Sequence, residues 1–323
     1  MKIKFYGTRG SVSIAGPQAV KYGGNTTCLR IESPCLPPKH WLAIDAGTGI
    51  FPLGNDTFKP ENGGIETLTI LFSHYHHDHI LGLFLCPLTF MKKVKINCYG
   101  PIDNEKGPAD MLKDMMRPPY FPVDFAEVAS HFSAKGIDHM PGMCLLVHPT
   151  GGVRLLKIDE LELLEQKSPT QIPFRDGKYA IQECLVIKMF RANHPERTVS
   201  YRFEERPTGK TFVFLTDHEN TDGLPGALVA HLKDADLLVI DSQYTREKYD
   251  RMTAGFGHGT PDYAVKLAIK VKAKALGLTH HDPSSSDQAI DGIVEAAKQA
   301  ANEEETKYDG EIFACADYQT VEL

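Results

Sequence analysis

No apolar run in this 323-residue chain approaches the roughly 18 residues that a membrane span requires. The start, Met1-Lys2-Ile3-Lys4-Phe5-Tyr6-Gly7-Thr8-Arg9-Gly10, is polar and glycine-rich, with none of the roughly 7 to 15 apolar residues of a secretory signal. A cytoplasmic protein without a membrane partner is therefore expected. Cysteine is sparse and unpaired: Cys28, Cys35, Cys86, Cys98, Cys144, Cys184 and Cys315 are odd in number and form no Cys-x-x-Cys. Reduced, mostly buried thiols follow, not a disulfide framework. Positive charge is also short, with 35 basic against 42 acidic residues and a net charge of −7, which disfavours loose attraction to a nucleic-acid backbone without forbidding a local basic pocket. No repeat of fixed period and no low-complexity tract is present.

What is there is a globular composition, 42% hydrophobic and 24% charged. β-like apolar runs predict strands at 2–6, 28–32, 41–45, 67–73, 95–99, 184–191, 199–204, 211–216, 236–240 and 275–278, with Arg206-Pro207-Thr208-Gly209 as a hairpin loop. Toward the C-terminus the period lengthens. Thr260 as N-cap and Pro261 as first residue open a helix with Ala264, Leu267, Ala268 and Val271 on one face, and Ile290, Ile293, Val294 and Ala297 repeat the spacing from Asp287 onward. Both helices should lay an apolar stripe on a sheet. Between 101 and 183 the signals weaken. Arg117-Pro118-Pro119-Tyr120-Phe121-Pro122, Pro149-Thr150-Gly151-Gly152 and Ser168-Pro169 read as excursions from the core, and nothing there divides the chain, so a single domain over 1–323 is expected.

Among fourteen histidines the placement is more telling than the number. Ser73-His74-Tyr75-His76-His77-Asp78-His79 packs imidazoles and a carboxylate together directly after an apolar run, which is costly unless a cation holds them. Other β-like runs also end in a metal-type ligand: 41–44 in Asp45, 185–193 in His194, 212–216 in Asp217 and 276–279 in His280. Strand ends along one edge are where layered folds build sites. Imidazole and carboxylate are the ligands that zinc and similar borderline metals prefer, and they accept manganese or iron as well, so zinc is the first expectation. His74 and His76 share one direction on an extended turn, Asp78 and His79 can face a second ion, and His194, Asp217 and His280 can complete two ligand sets, with Asp217 able to bridge.

In this order the motifs resemble those of the metallo-β-lactamase-fold hydrolases. The resemblance spans nearly the whole chain and implies an α/β four-layered αββα sandwich. It implies two divalent metal ions, one held by His74, His76 and His194 and the other by Asp78, His79 and His280, with Asp217 between them and Asp45 as a structural carboxylate bonding the motif loop. His77, His218 and His281 adjoin ligands and read as supporting or simply polar; His40, His131, His139, His148 and His231 read as surface or packing residues. The resemblance also leaves a homodimer open.

Two cations sharing a water lower its pKa from roughly 15.7 toward about 7, giving a metal-bridging hydroxide that attacks at neutral pH. Gly257-His258-Gly259-Thr260-Pro261 sets a histidine before a helix N-terminus, where an anion is favoured and a leaving alkoxide can be protonated. The segment is similar to the Gly-His-Ser-Thr motif of the ribonuclease Z and phosphodiesterase branch, with Gly259 replacing the serine. Gly7-Thr8-Arg9-Gly10-Ser11 and Tyr22-Gly23-Gly24-Asn25-Thr26-Thr27-Cys28 look like signatures of phosphoribosyl cyclic-phosphate phosphodiesterases, so Arg9 and Asn25 become candidate substrate contacts.

A small cyclic or nucleotide-like phosphodiester is the expected substrate, with His258, Asp78 and Asp217 as the catalytic residues. Nucleic acid is not favoured, because no Gly/Pro-rich basic arm like that of ribonuclease Z is found. Thioester or lactone hydrolysis is a third enzymatic reading. Outside hydrolysis stand a di-iron redox protein, against which His76 speaks because those relatives carry glutamate there, and a metal-binding module without catalysis. The segment 147–180 is longer than in simple phosphodiesterase relatives and is read as an insertion, a lid or a dimer contact.

Overall fold

The computed structural model describes residues 1–167, 170–221 and 223–323, so the loop expected at Ser168-Pro169 lies outside the described residues. Six strands open the chain: β1 (Lys2–Gly7), β2 (Cys28–Glu32), β3 (His40–Ile44), β4 (Thr67–Leu71), β5 (Lys95–Pro101) and β6 (Phe132–Ile137). Next come β7 (Met143–His148), β8 (Gly152–Lys157), a small hairpin of β9 (Gln171–Pro173) and β10 (Lys178–Ala180), then β11 (Leu185–Arg191), β12 (Val199–Glu205), β13 (Lys210–Leu215), β14 (Leu237–Asp241), β15 (Ala275–Thr279), β16 (Glu311–Ala314) and β17 (Thr320–Glu322). The helices are α1 (Ile50–Asp56), α2 (His77–Ile80), α3 (Pro108–Met115), α4 (Ile158–Glu165), α5 (Gly226–Leu232), α6 (Arg246–Lys248), α7 (Pro261–Val271) and α8 (Asp287–Glu303). Among the described residues the strands form two large sheets, ordered β17-β1-β2-β3-β4-β5-β6 and β16-β15-β14-β13-β12-β11-β7-β8.

Period-2 alternation builds the layers. Leu42 and Ile44 of β3 turn into a core shared with Phe212, Phe214, Leu237 and Val239 of the second sheet. Their neighbours Trp41 and Ala43 turn outward onto Ile50 and Leu53 of α1 and Met111 and Leu112 of α3. In the second sheet Val213, Leu215, Leu238 and Ile240 face outward onto Ala264, Leu267 and Val271 of α7 and Ile290, Ile293 and Ala297 of α8. Each Val, Leu, Ile, Phe or Met among these, taken fully out of water, contributes roughly 1.5–3 kcal/mol. The order is helix, sheet, sheet, helix: the four-layered αββα sandwich.

All ten expected strands occur, with ends moved by a residue or two, and the 206–209 loop joins β12 to β13. Thr260 takes the N-cap position of α7 without capping it; its hydroxyl accepts from Arg246 Nη2 at 3.1 Å instead. Of the described residues in the 147–180 region, the end of β7 and β8 belong to the second sheet, and β9 and β10 pair with each other. β7 pairs with β11, β8 extends the edge, and Leu161 of α4 with Ile172 of β9 covers Leu146 and Val186 on the outer face. Because β7 runs antiparallel to β11, the β7–β8 turn lies at the opposite end of the sheet from His194. That turn is too remote to act as a lid. All seven cysteines are free and buried. No helix among the described residues is long and apolar enough to cross a membrane.

Candidate metal centre

Strand direction gathers the site. β3 and β4 are parallel in the first sheet, β13, β14 and β15 are parallel in the second, and β11 follows them through the antiparallel β12. Their C-terminal ends share one edge, and Asp45, His74, His194, Asp217, Asp241 and His280 stand there. Asp45, Asp217 and His280 have φ of 57°, 47° and 61°, a left-handed backbone that non-glycine residues adopt at a cost. The strand turns sharply at each, which swings the side chain onto the edge.

Two donor sets result. The ligand atoms of His74, His76, His194 and Asp217 lie within 4.8 Å of one another, as do those of Asp78, His79 and His280. Asp217 joins the sets: Oδ2 is 3.6 Å from His74 Nε2 and 3.8 Å from His194 Nε2, while Oδ1 is 3.3 Å from His79 Nε2 and 3.4 Å from His280 Nε2. Asp78 Oδ2 stands 3.1 Å from His280 Nε2 and 3.3 Å from His79 Nε2.

The far sides of the imidazoles are anchored. Asp45 Oδ2 is 2.8 Å from His79 Nδ1, and the same carboxylate accepts from the Ser73 backbone N–H at 2.6 Å and the Ser73 hydroxyl at 2.7 Å. Thr198 Oγ lies 3.1 Å from His194 Nδ1, and Ser73 Oγ 3.1 Å from His74 Nδ1. Such partners orient a histidine so that its other nitrogen faces a metal.

These residues fit divalent cations on two observations. His74 Nε2 is buried with no hydrogen-bond partner, and burial, then the neighbouring His79, drive its pKa well below the usual histidine range, so the ring is in the neutral form a metal takes. Burial would also lower His79, yet the carboxylates of Asp78, Asp217 and Asp45 outweigh it and raise that ring well above its ordinary pKa. Such an excess of buried carboxylate calls for more positive charge than imidazoles supply.

The cluster opens into a cavity of about 350 Å³ lined by Ser11, Tyr75, His76, His77, Asp78, Asp217, His258 and His280. His258 stacks on His280 with ring centres 4.9 Å apart, and its Nδ1 is 2.7 Å from Asp241 Oδ2. Burial lowers its pKa, but Asp241 more than offsets this, with Asp217 and Asp78 adding, and raises the ring to about 9. Cations at the two sets would pull it back down.

Arg9 and Asn25 stand elsewhere. Arg9 is 0% exposed and donates to the carbonyls of Gly23, Asp282 and Ser285 at 2.9, 3.0 and 2.7 Å, which makes it a brace between the N-terminal loop and the loop after β15. Asn25 donates from its side chain to the Tyr6 carbonyl at 3.1 Å and from its backbone to Asp317 at 2.9 Å. Both are engaged by the protein itself. His77 is exposed, His218 Nε2 pairs with the Tyr263 hydroxyl at 2.9 Å and His281 Nε2 with the Cys315 carbonyl at 2.8 Å.

Sequence reasoning passed over Asp241, although Leu237-Leu238-Val239-Ile240-Asp241 is another apolar run ending in a carboxylate, the signal that singled out Asp45 and Asp217. It also passed over Glu196, 3.0 Å from His76 Nε2, and Glu219, for which no local pattern exists.

Comparison with known proteins agrees with this architecture. Residues 134–281 match the β-lactamase superfamily domain. A ribonuclease Z of Prochlorococcus marinus is 27% identical over 77% of this chain and 80% of its own. The crystal structure of the short form of human tRNase Z superposes with a TM-score of 0.61 at 20% identity, covering 100% of this chain and 99% of that one. That of a diphosphatase from the PhnP family gives a TM-score of 0.57 at 15% identity, covering 100% and 97%. The chain has the metallo-β-lactamase fold, and its likenesses to ribonuclease Z and to a PhnP-family enzyme support a metal-dependent hydrolase.

Proposed function

We propose that the chain hydrolyses a small cyclic or nucleotide-like phosphodiester at a centre of two divalent cations, zinc being the first choice for this donor set and manganese or iron also suited to it. One observation carries the reading: Asp217 stands between the two donor sets, Oδ2 toward His74 and His194 and Oδ1 toward His79 and His280, and His258, paired with Asp241, lines the same cavity. When bound, the cations supply an activated water as nucleophile and offset the charge on the phosphate.

The residues of the chain do the rest. His74, His76 and His194 would hold one ion, Asp78, His79 and His280 the other, and Asp217 would span them. Asp45, Ser73 and Thr198 fix the rings. Asp241 occupies His258 Nδ1 and so leaves Nε2–H for the substrate. As the bond from phosphorus to the leaving oxygen breaks and its electron pair stays with that oxygen, His258 gives it the Nε2 proton. The residues named as lining the cavity include no lysine or arginine, so a long polyanion would find few partners beyond the phosphate being cut. This supports a small substrate.

A second reading, a nuclease, is favoured by the relative named ribonuclease Z and the likeness to human tRNase Z. Zinc-loaded protein tested on bis-p-nitrophenyl phosphate, cyclic ribose phosphates, cyclic nucleotides, a thioester and precursor tRNA separates the possibilities. Turnover of the small phosphodiesters is the expected result. Cleavage of precursor tRNA with the cyclic phosphates inert would favour the nuclease; hydrolysis of the thioester alone would overturn both.

A further inference from the structure

We infer that Glu219 is the positioning residue that holds His258 in place as proton donor, an assignment that rests on the function proposed above. Glu219 follows the shared ligand Asp217 by two residues, is 5% exposed and stands outside both donor sets. Its carboxylate is spent on one segment: Oε1 accepts from the Tyr249 hydroxyl at 2.6 Å and the Gly255 N–H at 2.5 Å, and Oε2 from the Gly257 N–H at 2.9 Å. A buried carboxylate satisfied only by neutral donors is costly to keep, so the segment it orders should matter.

That segment is the one carrying His258. After α6 the chain makes a π turn over Tyr249–Thr253, a form concentrated at functional sites, then reaches Gly255 and Gly257 with φ of 88° and 90°. Gly257 lies so close to the ligand His194 that a Cβ there would fall 2.3 Å from the ring. Such an approach leaves little freedom to place the next residue, His258, by packing alone. The Glu219 backbone is fastened in turn, its N–H donating to the Asn193 carbonyl at 2.8 Å and its carbonyl accepting from Asn193 Nδ2 at 2.9 Å. The loops after β11, β13 and α6 are thereby tied at one residue, the first through the Glu219 backbone and the last through its carboxylate. Glu219 fixes the distance from His258 to the ion sites, while Asp241 fixes the orientation of its ring.

Leaving-group dependence tests this, because p-nitrophenolate departs readily without a proton donor and an alkoxide does not. For zinc-loaded Glu219→Gln with metal content equal to wild type, turnover of an alkyl p-nitrophenyl phosphodiester that expels p-nitrophenolate should fall less than about threefold. Turnover of a cyclic nucleotide that expels an alkoxide should fall about 10²-fold, matching His258→Ala, with the double variant no worse than either single one. Tyr249→Phe, which loses one of the three bonds, should show the same selectivity in weaker form and covers the case in which Glu219→Gln fails to fold. Equal losses on both substrates, or loss of zinc in parallel with rate, would make Glu219 merely structural and overturn the inference. If wild-type protein cleaves no phosphodiester, the proposed function fails; if His258→Ala is selective and both Glu219→Gln and Tyr249→Phe are not, only the role of Glu219 fails.

Discussion

At the scale of single residues, the site separates the groups proposed to hold ions from the groups that orient them. Asp241 is of the second kind, 0% exposed and 2.7 Å from His258 Nδ1. Its replacement by asparagine keeps the shape and removes the charge that favours a protonated ring. Zinc-loaded Asp241→Asn should retain both metals while kcat on substrates with an alkoxide leaving group drops about 10²-fold, on the order of 2.7 kcal/mol of transition-state stabilisation. Steady-state kinetics with metal analysis checks this, and an unchanged kcat would remove the pair from the mechanism. The proposed donors drew notice in the sequence because His74, His194, Asp217 and His280 each close a β-like run and His76, Asp78 and His79 crowd behind the first of them, a one-dimensional signal. Asp241 carries the same signal and was legible in principle. Glu219 was not, since its partners Tyr249, Gly255 and Gly257 are about 30 to 38 residues away and only the fold brings them together. Arg9 misled for the converse reason: a cation in a glycine-rich loop reads as an anion contact, whereas here it satisfies buried carbonyls.

At the scale of elements, legibility followed burial pattern. Strands half-buried or bounded by turn residues stood out, and α7 and α8 announced themselves by one-sided stripes. The strand β7, Met-Cys-Leu-Leu-Val-His, has no such period because Leu145 and Val147 fill the inter-sheet core while Cys144 and Leu146 are covered on the other face. In β6, lysine and glycine interrupt the pattern, and β9 and β10 are only three residues each. Helix α1 is tied to the sheet at Asp56, which accepts from Lys4 Nζ and the Tyr6 hydroxyl at 2.7 Å each and pairs with Lys59 Nζ at 2.6 Å. Burial would raise this carboxyl, but the bonds from Lys4, Lys59 and Tyr6 prevail and hold its pKa at about 2. A pKa depressed on folding adds stability above the unfolded value of about 3.9, lost as pH falls through about 2. Wild type should therefore melt above Asp56→Asn at pH 6, and the gap should close as pH falls from about 4 toward 2. Thermal melts across that range decide it; a gap independent of pH would mean that Asp56 acts without its charge.

At the scale of the molecule, two sheets packed face to face bring their strand ends to one common edge. The first contributes Asp45 and the His74 to His79 motif, the second His194, Asp217, Asp241 and His280, and each of the two proposed ion sites draws on both. The layered fold was implied by the resemblance that the order of the motifs carries, but the placing of Asp217 between His74 and His194 on one side and His79 and His280 on the other is a property of the closed sandwich. The most direct test of a two-ion phosphodiesterase is to titrate zinc into metal-free protein while following hydrolysis of bis-p-nitrophenyl phosphate. Turnover should rise chiefly with the second equivalent and level off at two ions per chain. Full activity at one equivalent, or none at any zinc level in folded protein, would contradict it.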